Sequence, residues 1–486
     1  MTRIPRASLH SLHLATALLV AGSAGLAHGQ ASKTLTELVG KAVPGLDAIG
    51  VTNVQVGEGY FSGSVPALAV PGQTGDVRIS GFITGNTKEF AIVISLPTFK
   101  LTSYVPGLTG TGLDNLAFSG AKFVIAPAGT AGTTVSPPSA IASITGGSLT
   151  LPNGTGLQGG VDLSGQLADW FKNIGMPTTA LPISGGVPVG LFTGKIAAGQ
   201  VAQLLYPMLD LTITAPAPLL NSVPALIPNT RLSALSLRVD GKSGSPAFTL
   251  AGAINLADNR AVTISAKAGG TQQAAVQLTA TNFNVADLIG VSVPGLNALA
   301  ITGVTLSADA IEADLKLGTI SARAQAFKAG NARGVALSAD SIKFSNLVSA
   351  AAGTPLDDFV IRKPTWIYTQ TAQANVSLPA DVRARLGAGA PSSLPGGLGV
   401  TGQSSFAGGI GQLLSGIGMP SGITLPTNIS LDPSIFGKPP AMPEVDLSFP
   451  VGALGRLLPA SVATIGGGTL HIVHKGGATT VGVAAD

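Results

Sequence analysis

Apolar residues alternate with polar or small residues along most of the 486-residue chain. The alternation is regular in the runs 262–266 and 311–317, and the run 77–83 also has the composition of a strand. Because successive side chains of a β-strand point to opposite faces, this period of two predicts strands with one apolar face and one polar or small face. Glycine and proline interrupt the runs at short intervals, which predicts antiparallel strands joined by turns.

A period of three to four residues appears in a few short segments. It predicts amphipathic helices at 32–42, around 163–174 and around 411–414. The first of these carries Thr34 and Glu37 at the spacing of a capping box. We therefore expect a β-rich α+β fold in which antiparallel sheet packs against short amphipathic helices.

Long segments of the first half return in the second half. VPGLDAIGVTNVQV, which begins at Val43, returns as VPGLNALAITGVTL from Val293. GTGLDNLAFSGAKFVI, which begins at Gly110, returns as GTPLDDFVIRKPTWIY from Gly353. Each pair combines a turn rich in proline or glycine with a following strand pattern, so the resemblance is one of architecture.

Two shorter pairs keep the same order along the chain: IGMP at 174 and 417, and LDLT at 209 with VDLS at 445. We interpret the mature chain as two tandem homologous halves, 31–275 and 276–486. Repetition of one supersecondary unit also predicts an elongated, repeat-like body.

Residues 1–30 have the pattern of a secretory signal peptide, with positive charges before an apolar run at 14–26 and small residues after it. Cleavage is expected between Gly29 and Ala31. The protein is then secreted, either periplasmic or at the cell surface, and no transmembrane helix is expected after removal of the signal. The absence of cysteine excludes disulfides and thiolate chemistry.

Charged residues make up 10% of the chain, compared with about 25% in typical globular proteins. The net charge is only +4 and the cationic residues are scattered, so we expect no nucleic-acid partner. So few charges leave apolar surface free to associate. The expected partners are an apolar ligand or a second copy of the chain, and contact with a membrane stays open.

The mean hydropathy of +0.45 and the alternating strands also raise an outer-membrane β-barrel as an alternative. Such barrels carry girdles of aromatic residues at both membrane interfaces. This chain has 16 Phe, 4 Tyr and 2 Trp among 486 residues, together with 33 prolines, which disfavours the barrel.

Catalytic and metal-binding chemistry finds little support in the sequence. Outside the predicted signal peptide the only histidines are His471 and His474, whose odd separation in a strand places them on opposite faces. No Gly-x-Ser-x-Gly motif presents a nucleophilic serine. We therefore predict a protein that is not an enzyme and that has no cofactor, metal or catalytic residues.

Two acidic pairs and one glycine-rich motif resemble functional motifs, but we interpret them as parts of turns or loops. The pairs Asp114-Asn115 and Asp357-Asp358 could serve acid–base or calcium chemistry. Such residues before a strand more often accept hydrogen bonds from backbone amides two residues on. The GxGxxG motif at 397–402 follows no strand pattern and lies in a stretch, 386–406, that we predict to be a loop.

Aromatic side chains are the candidate ligand contacts. Trp366 and Tyr368 share one face of a predicted strand, and Trp170 lies on the predicted helix around 163–174. Such side chains stack on sugars or lipids, although pairs of this kind more often pack in a core.

Three classes of function follow. The first is a secreted, non-catalytic, β-rich protein with a structural, adhesive or binding role in the cell envelope. The second is a carrier that holds lipid or another apolar ligand in an apolar seam. The third is a hydrolase, which would need a cleft where distant acids or a histidine converge, and the sequence does not indicate one. The outer-membrane β-barrel is a further alternative, which the aromatic content disfavours.

Overall fold

The computed structural model describes the chain between 51 and 485, with gaps. The described ranges are 51–57, 60–65, 77–84, 89–104, 106–126, 132–186, 209–242, 244–256, 258–268, 275–279, 283–293, 295–306, 311–329, 332–347, 349–374, 376–386, 390, 393–394, 396–416, 425–431, 445–452 and 467–485. The predicted signal peptide, the predicted helix 32–42 and the start of the first VPGL segment lie outside them.

Contacts between residues divide the chain into two compact units. The first comprises Met1–Pro224, Leu232–Ala253 and Ser265–Ala275. The second comprises Ala225–Arg231, Ile254–Ile264 and Val276–Asp486.

Most of the described strands belong to one large antiparallel sheet, which confirms the prediction of a β-rich antiparallel fold. The strands are β1 Thr52–Gly57, β2 Tyr60–Val65, β3 Val77–Thr84, β4 Glu89–Lys100, β5 Leu116–Ile125, β6 Thr134–Val135, β7 Leu149–Thr150, β8 Thr155–Leu163, β9 Leu181–Gly186, β10 Asp210–Thr214, β11 Arg231–Asp240, β12 Ala247–Asn255, β13 Ala261–Ala268, β14 Val276–Thr279, β15 Ile301–Leu306, β16 Ile311–Leu317, β17 Ile320–Ala329, β18 Ala332–Ser338, β19 Ser341–Lys343, β20 Phe359–Thr369, β21 Gly397–Phe406, β22 Leu425–Leu431, β23 Val445–Gly452, β24 Gly467–Lys475 and β25 Ala478–Ala485.

The helices in the described part of the chain are short. They are α1 Leu101–Tyr104, α2 Ala142–Thr145, α3 Gly165–Asn173, α4 Ala217–Ser222, α5 Val285–Ile289, α6 Phe344–Leu347, α7 Ala380–Leu386 and α8 Gly408–Gly416. The predicted helices around 163–174 and 411–414 are confirmed as α3 and α8. In α3, the apolar face that the period predicted, including Trp170 and Phe171, is buried.

In the first unit, the strands from β1 to β5 pair antiparallel in chain order, and β8, β9, β10 and β11 continue the series. The β6–β7 hairpin and α2 lie between β5 and β8 in sequence and cover one face of the sheet. Ile141 and Leu149 from this covering segment pack against Val93 and Val124. Because Ile92 and Ile94 on the other face are also buried, β4 is covered on both faces.

In the second unit, β14 to β18 pair antiparallel in chain order, and β20, β21 and β22 follow. The short β19 also pairs with β20. A covering segment that includes α7 packs on this sheet, where Val382 and Leu394 contact a cluster containing Ala336 and Ile367. Strands β23, β24 and β25 form a separate three-stranded antiparallel sheet.

Each unit has a bulged strand with one residue in the left-handed region. In β5 the pairing with β8 shifts between Ser119 and Lys122, and Gly120 has a φ of 56°. In β20 the pairing with β21 shifts between Arg362 and Thr365, and Lys363 has a φ of 48°. A β-bulge of this kind bends the strand locally.

The predicted loop at 386–406 is wrong over its second part, because 397–406 forms β21. Leu398 and Val400 are buried there and pair with β20. The apolar alternation of this strand is weak because small residues occupy many of its positions. One of them is required, since a Cβ at Gly402 would approach the Cγ2 atom of Ile361 to 2.7 Å.

Candidate functional site

The second unit contains an open cleft of about 530 Å3. It lies where α5, the turn between β12 and β13, and the segment before β11 come together. The lining residues are Pro228, Asn229, Leu256, Asp258, Arg260, Asn284, Ala286, Asp287, Gly290, Val291, Ser292 and Asn297.

One wall of the cleft is the N-terminus of α5, which a capping box fixes. The Oδ1 atom of Asn284 accepts a hydrogen bond from the backbone N–H of Asp287 at 3.1 Å. In return, the Oδ2 atom of Asp287 accepts from the backbone N–H of Asn284 at 2.9 Å. Each side chain is thereby bound to the backbone of the other residue, so the backbone sets the orientation of both side chains.

Arg260 joins this cap to the turn between β12 and β13. Its Nη1 and Nη2 atoms donate to the two carboxylate oxygens of Asp287 at 3.0 and 2.7 Å, and its Nε donates to Asp258 at 2.5 Å. The hydrogen bond to Asp287 raises the pKa of Arg260. Bidentate arginine–carboxylate pairs fix orientation as well as distance, so the helix cap and the turn are held in one geometry.

A second wall comes from the segment before β11. The Nδ2 atom of Asn229 donates to the carbonyl of Gly290 at 3.4 Å. Gly290 ends α5 with a φ of 71°, and a Cβ at this position would collide with the ring of Pro228. Only glycine allows both the left-handed helix end and this close approach.

The guanidinium group of Arg333 on β18 also binds this segment. The Nη1 atom of Arg333 donates to the carbonyl of Leu226 at 2.7 Å, and Nη2 donates to the carbonyl of Ala225 at 3.3 Å. Burial lowers the pKa of Arg333.

The third wall is the turn after α5, which begins the second VPGL segment. The Nδ2 atom of Asn297 donates to the hydroxyl of Ser292 at 2.8 Å, and its Oδ1 accepts from the backbone N–H of Val293 at 3.3 Å. The polar side chains of the cleft are therefore held by contacts within the protein.

The chain matches no protein-family model, no curated protein and no solved structure.

The aromatic residues that the sequence singled out lie elsewhere. Trp366 and Tyr368 lie on β20 and keep 1% and 9% of their surface exposed, and Trp170 on α3 keeps 3%. Burial raises the pKa of Tyr368. All three pack in the interior, and none lines the cleft.

The two histidines lie on β24 as predicted. The Nδ1 atom of His471 lies 3.0 Å from the hydroxyl of Ser448, and that of His474 lies 2.8 Å from the hydroxyl of Thr479. No group of three or more histidine, aspartate or glutamate residues within the described ranges is placed to hold a metal ion. Nor does any helix described by the structure combine the length and hydropathy needed to cross a membrane.

The acidic pairs bind backbone amides, as the turn interpretation predicts, but their partners are more distant than two residues. Asp114 accepts from the N–H of Gly110 at 3.1 Å. Asp357 accepts from the N–H of Ser345 at 2.9 Å. Asp358 reaches across to α8 and accepts from the N–H of Ile410 at 3.0 Å.

Sequence reasoning missed the cleft, although two signals were present. Asn284 and Asp287 have the spacing of a capping box, and Asp258-Asn259-Arg260 is a turn signal between two alternating runs. Their meeting could not be read from the sequence, because the ion pair joins positions 27 residues apart.

Proposed function

We propose that this chain is a secreted, non-catalytic binding protein of the cell envelope and that the cleft around Arg260 and Asp287 is its binding site. The observation that carries the proposal is the fixed geometry of the polar lining. Side chains that are already oriented lose little conformational freedom when a ligand arrives, which favours binding.

The same contacts disfavour Asp287 as a general base. Both oxygens of Asp287 accept hydrogen bonds, Oδ1 from Arg260 and Oδ2 from Arg260 and Asn284. A general base needs an oxygen that can reach the proton of a substrate. The oxygens of Asp287 are turned toward the protein instead.

Binding to the envelope can be tested by co-sedimentation of the purified mature protein with envelope fractions of its own host. Ser292→Trp places a large side chain in the cleft at an exposed position, and we expect it to abolish binding. The matched control is Ser321→Trp, which changes an exposed serine of β17. If Ser292→Trp and Ser321→Trp bind the envelope fractions equally well, the cleft is not the binding site.

Secretion is a separate part of the proposal and has its own test. The mass of the protein recovered from the periplasm or the medium is expected to correspond to a chain that starts between Gln30 and Ser32. Recovery of the intact chain from the cytoplasm would contradict it.

We also propose that the chain consists of two tandem homologous halves. The bulges of β5 and β20 support this, because Gly120 and Lys363 are separated by the same offset as the repeated segments at Gly110 and Gly353. The strand pairing agrees, since Leu116 pairs with Leu163 and Phe359 pairs with Phe406.

The ends of α3 and α8 give a second line of support. The backbone N–H of Ser164 donates to the carbonyl of Asn115 at 3.0 Å, and that of Ala407 donates to the carbonyl of Asp358 at 2.7 Å. The first residues of the two helices, Gly165 and Gly408, have φ values of 54° and 51°. A shared ancestry predicts such matched local geometry at equivalent positions.

A structural or adhesive role is the second candidate, and β25 favours it. Among the described strands β25 pairs only with β24, and its residues ATTVGVAA carry no charge and no proline. Edge strands of this kind pair readily with other strands. An antiparallel pair of two β25 strands from two copies places no like charges opposite each other, so a second copy is the occupant we propose.

Sedimentation velocity over a range of concentrations tests this role. The wild-type protein is expected to form dimers, and Thr480→Lys, which puts a charge on β25, is expected to remain monomeric. Thr279→Lys on β14 is the control. A wild-type protein that is monomeric at every concentration would overturn the candidate.

An apolar-ligand carrier remains the alternative proposal. The apolar cluster under each covering segment supports it, because each lies between a sheet face and a short helix. An apolar ligand would enter by displacing the covering segment.

A further inference from the structure

We infer that the cleft takes a hydroxyl-rich ligand without negative charge, that is, one or two units of a saccharide. This inference rests on the proposed function and names the ligand class for the same site. Four properties of the lining carry it: size, charge, the hydrogen-bonding groups and the apolar surface between them.

The size fits a small ligand. Pockets for small molecules have volumes of about 300–1,000 Å3, and this cleft has a volume of about 530 Å3. The cleft is open to solvent on one side, so a terminal unit of a longer chain can enter while the remainder stays outside.

The charge of the lining disfavours anions. Arg260 is the lining cation, and it is paired with both Asp258 and Asp287. One positive and two negative groups leave a net negative charge in the cleft. A phosphate or carboxylate ligand would therefore meet repulsion from Asp258, whose side chain is 54% exposed.

The hydrogen-bonding groups include donors and acceptors together. Asn284 uses Oδ1 for the helix cap, which leaves its amide group to donate. Asn229 uses Nδ2 for the carbonyl of Gly290, which leaves its oxygen to accept. Ser292 accepts from Asn297, so its own hydroxyl can donate. Hydroxyl groups both donate and accept, and such a mixed set matches them.

Aliphatic side chains complete the lining. Pro228, Leu256, Ala286 and Val291 lie between the polar groups. Sugar rings carry C–H groups on their faces and hydroxyls on their edges, so this alternation suits a ring. Because the apolar part is aliphatic rather than aromatic, we expect modest affinity for a single unit.

The test uses titration calorimetry with neutral disaccharides, cellobiose, maltose and N,N′-diacetylchitobiose, on the full mature protein. Glucuronate and glucosamine serve as the charged comparisons. We expect at least one neutral disaccharide to bind and the anion not to bind. Binding of the anion alone would overturn the inference.

Two variants locate the binding. Asn284→Ser keeps a side chain that caps helices well but removes the amide donor, and Ser292→Ala removes the hydroxyl. Each is expected to weaken binding of the disaccharide by about tenfold. Ser321→Ala is the control and should bind like the wild type. Undiminished binding by both cleft variants would overturn the inference.

The outcome separates this inference from the proposed function. If no neutral saccharide binds but Ser292→Trp still abolishes binding to envelope fractions, the cleft remains the binding site and the ligand class is wrong. If Ser292→Trp binds the fractions as well as the wild type does, and no saccharide binds, both fail.

Discussion

The guanidinium group of Arg260 and the carboxylate of Asp287 form a bidentate pair at 3.0 and 2.7 Å, and this pair joins a β-turn to a helix cap. Lysine keeps the charge of arginine but cannot form two parallel bonds. We expect Arg260→Lys to lower the free energy of unfolding by about 1–3 kcal/mol in denaturant titrations.

The matched control for this substitution is Arg323→Lys on β17. Arg323 is 54% exposed and lies 3.5 and 3.9 Å from Glu312 and Asp314. Exposed ion pairs contribute about 0–1 kcal/mol. If Arg323→Lys lowers the free energy of unfolding as much as Arg260→Lys does, the bidentate geometry of the Arg260–Asp287 pair contributes no extra stability.

Lys363 occupies the bulge of β20 with a φ of 48°. Side chains with a Cβ are disfavoured in this region, while glycine adopts it readily. We expect Lys363→Gly to raise the free energy of unfolding by about 1 kcal/mol. Its neighbour Arg362 is an exposed strand residue with no left-handed φ, so Arg362→Gly should instead destabilise the protein.

Gly408 begins α8 against the carboxylate of Asp358, with a φ of 51°. Alanine at this position meets both an unfavourable φ and a collision, so we expect Gly408→Ala to destabilise the protein by about 1–3 kcal/mol. Gly416 ends the same helix with open space around it, and Gly416→Ala should be neutral or stabilising. Similar thermal unfolding of both variants would contradict this packing.

Lys122 is half-buried on β5, and desolvation lowers its pKa below 10.5. The unfolded chain then binds more protons than the folded chain between the lowered pKa and 10.5. Stability contributed at this site therefore rises with pH across that window. We expect the wild type to gain stability relative to Lys122→Met between pH 7 and pH 10.5 in guanidinium titrations, and a constant difference would contradict the prediction.

The carrier alternative makes a different prediction. Native mass spectrometry of protein from its own host should then show a bound apolar molecule at fixed stoichiometry that organic extraction removes. The two tryptophans of the chain, Trp170 and Trp366, are both buried, so loss of a core ligand should change their fluorescence. A ligand-free monomer with unchanged emission would count against the carrier.

The sequence predicts secondary structure well where the apolar period is strong. The period of two in 311–317 appears as β16, and the period near 163–174 appears as α3. It fails at β21, where small residues weaken the alternation. The hydrophobic period reports burial of large side chains, and a strand built from glycine, serine and threonine gives little of that signal.

The candidate site was harder to predict for a different reason. Trp366 is conspicuous in a chain with few aromatic residues, but the structure places it in the interior. Apart from Arg260, the polar side chains that line the cleft are asparagine, aspartate and serine, which are common in turns throughout this chain. Their importance comes from tertiary contacts such as that of Asn229 with Gly290, 61 positions away.

Arg333 binds the carbonyls of Ala225 and Leu226 from its position on β18, so the wall of the cleft and an interior strand are mechanically linked. A ligand that holds this wall in place also restrains β18. By linkage, slower hydrogen exchange along β18 would accompany occupation of the cleft. Substitutions in β18 would then change the affinity of the cleft for its ligand without contacting the ligand.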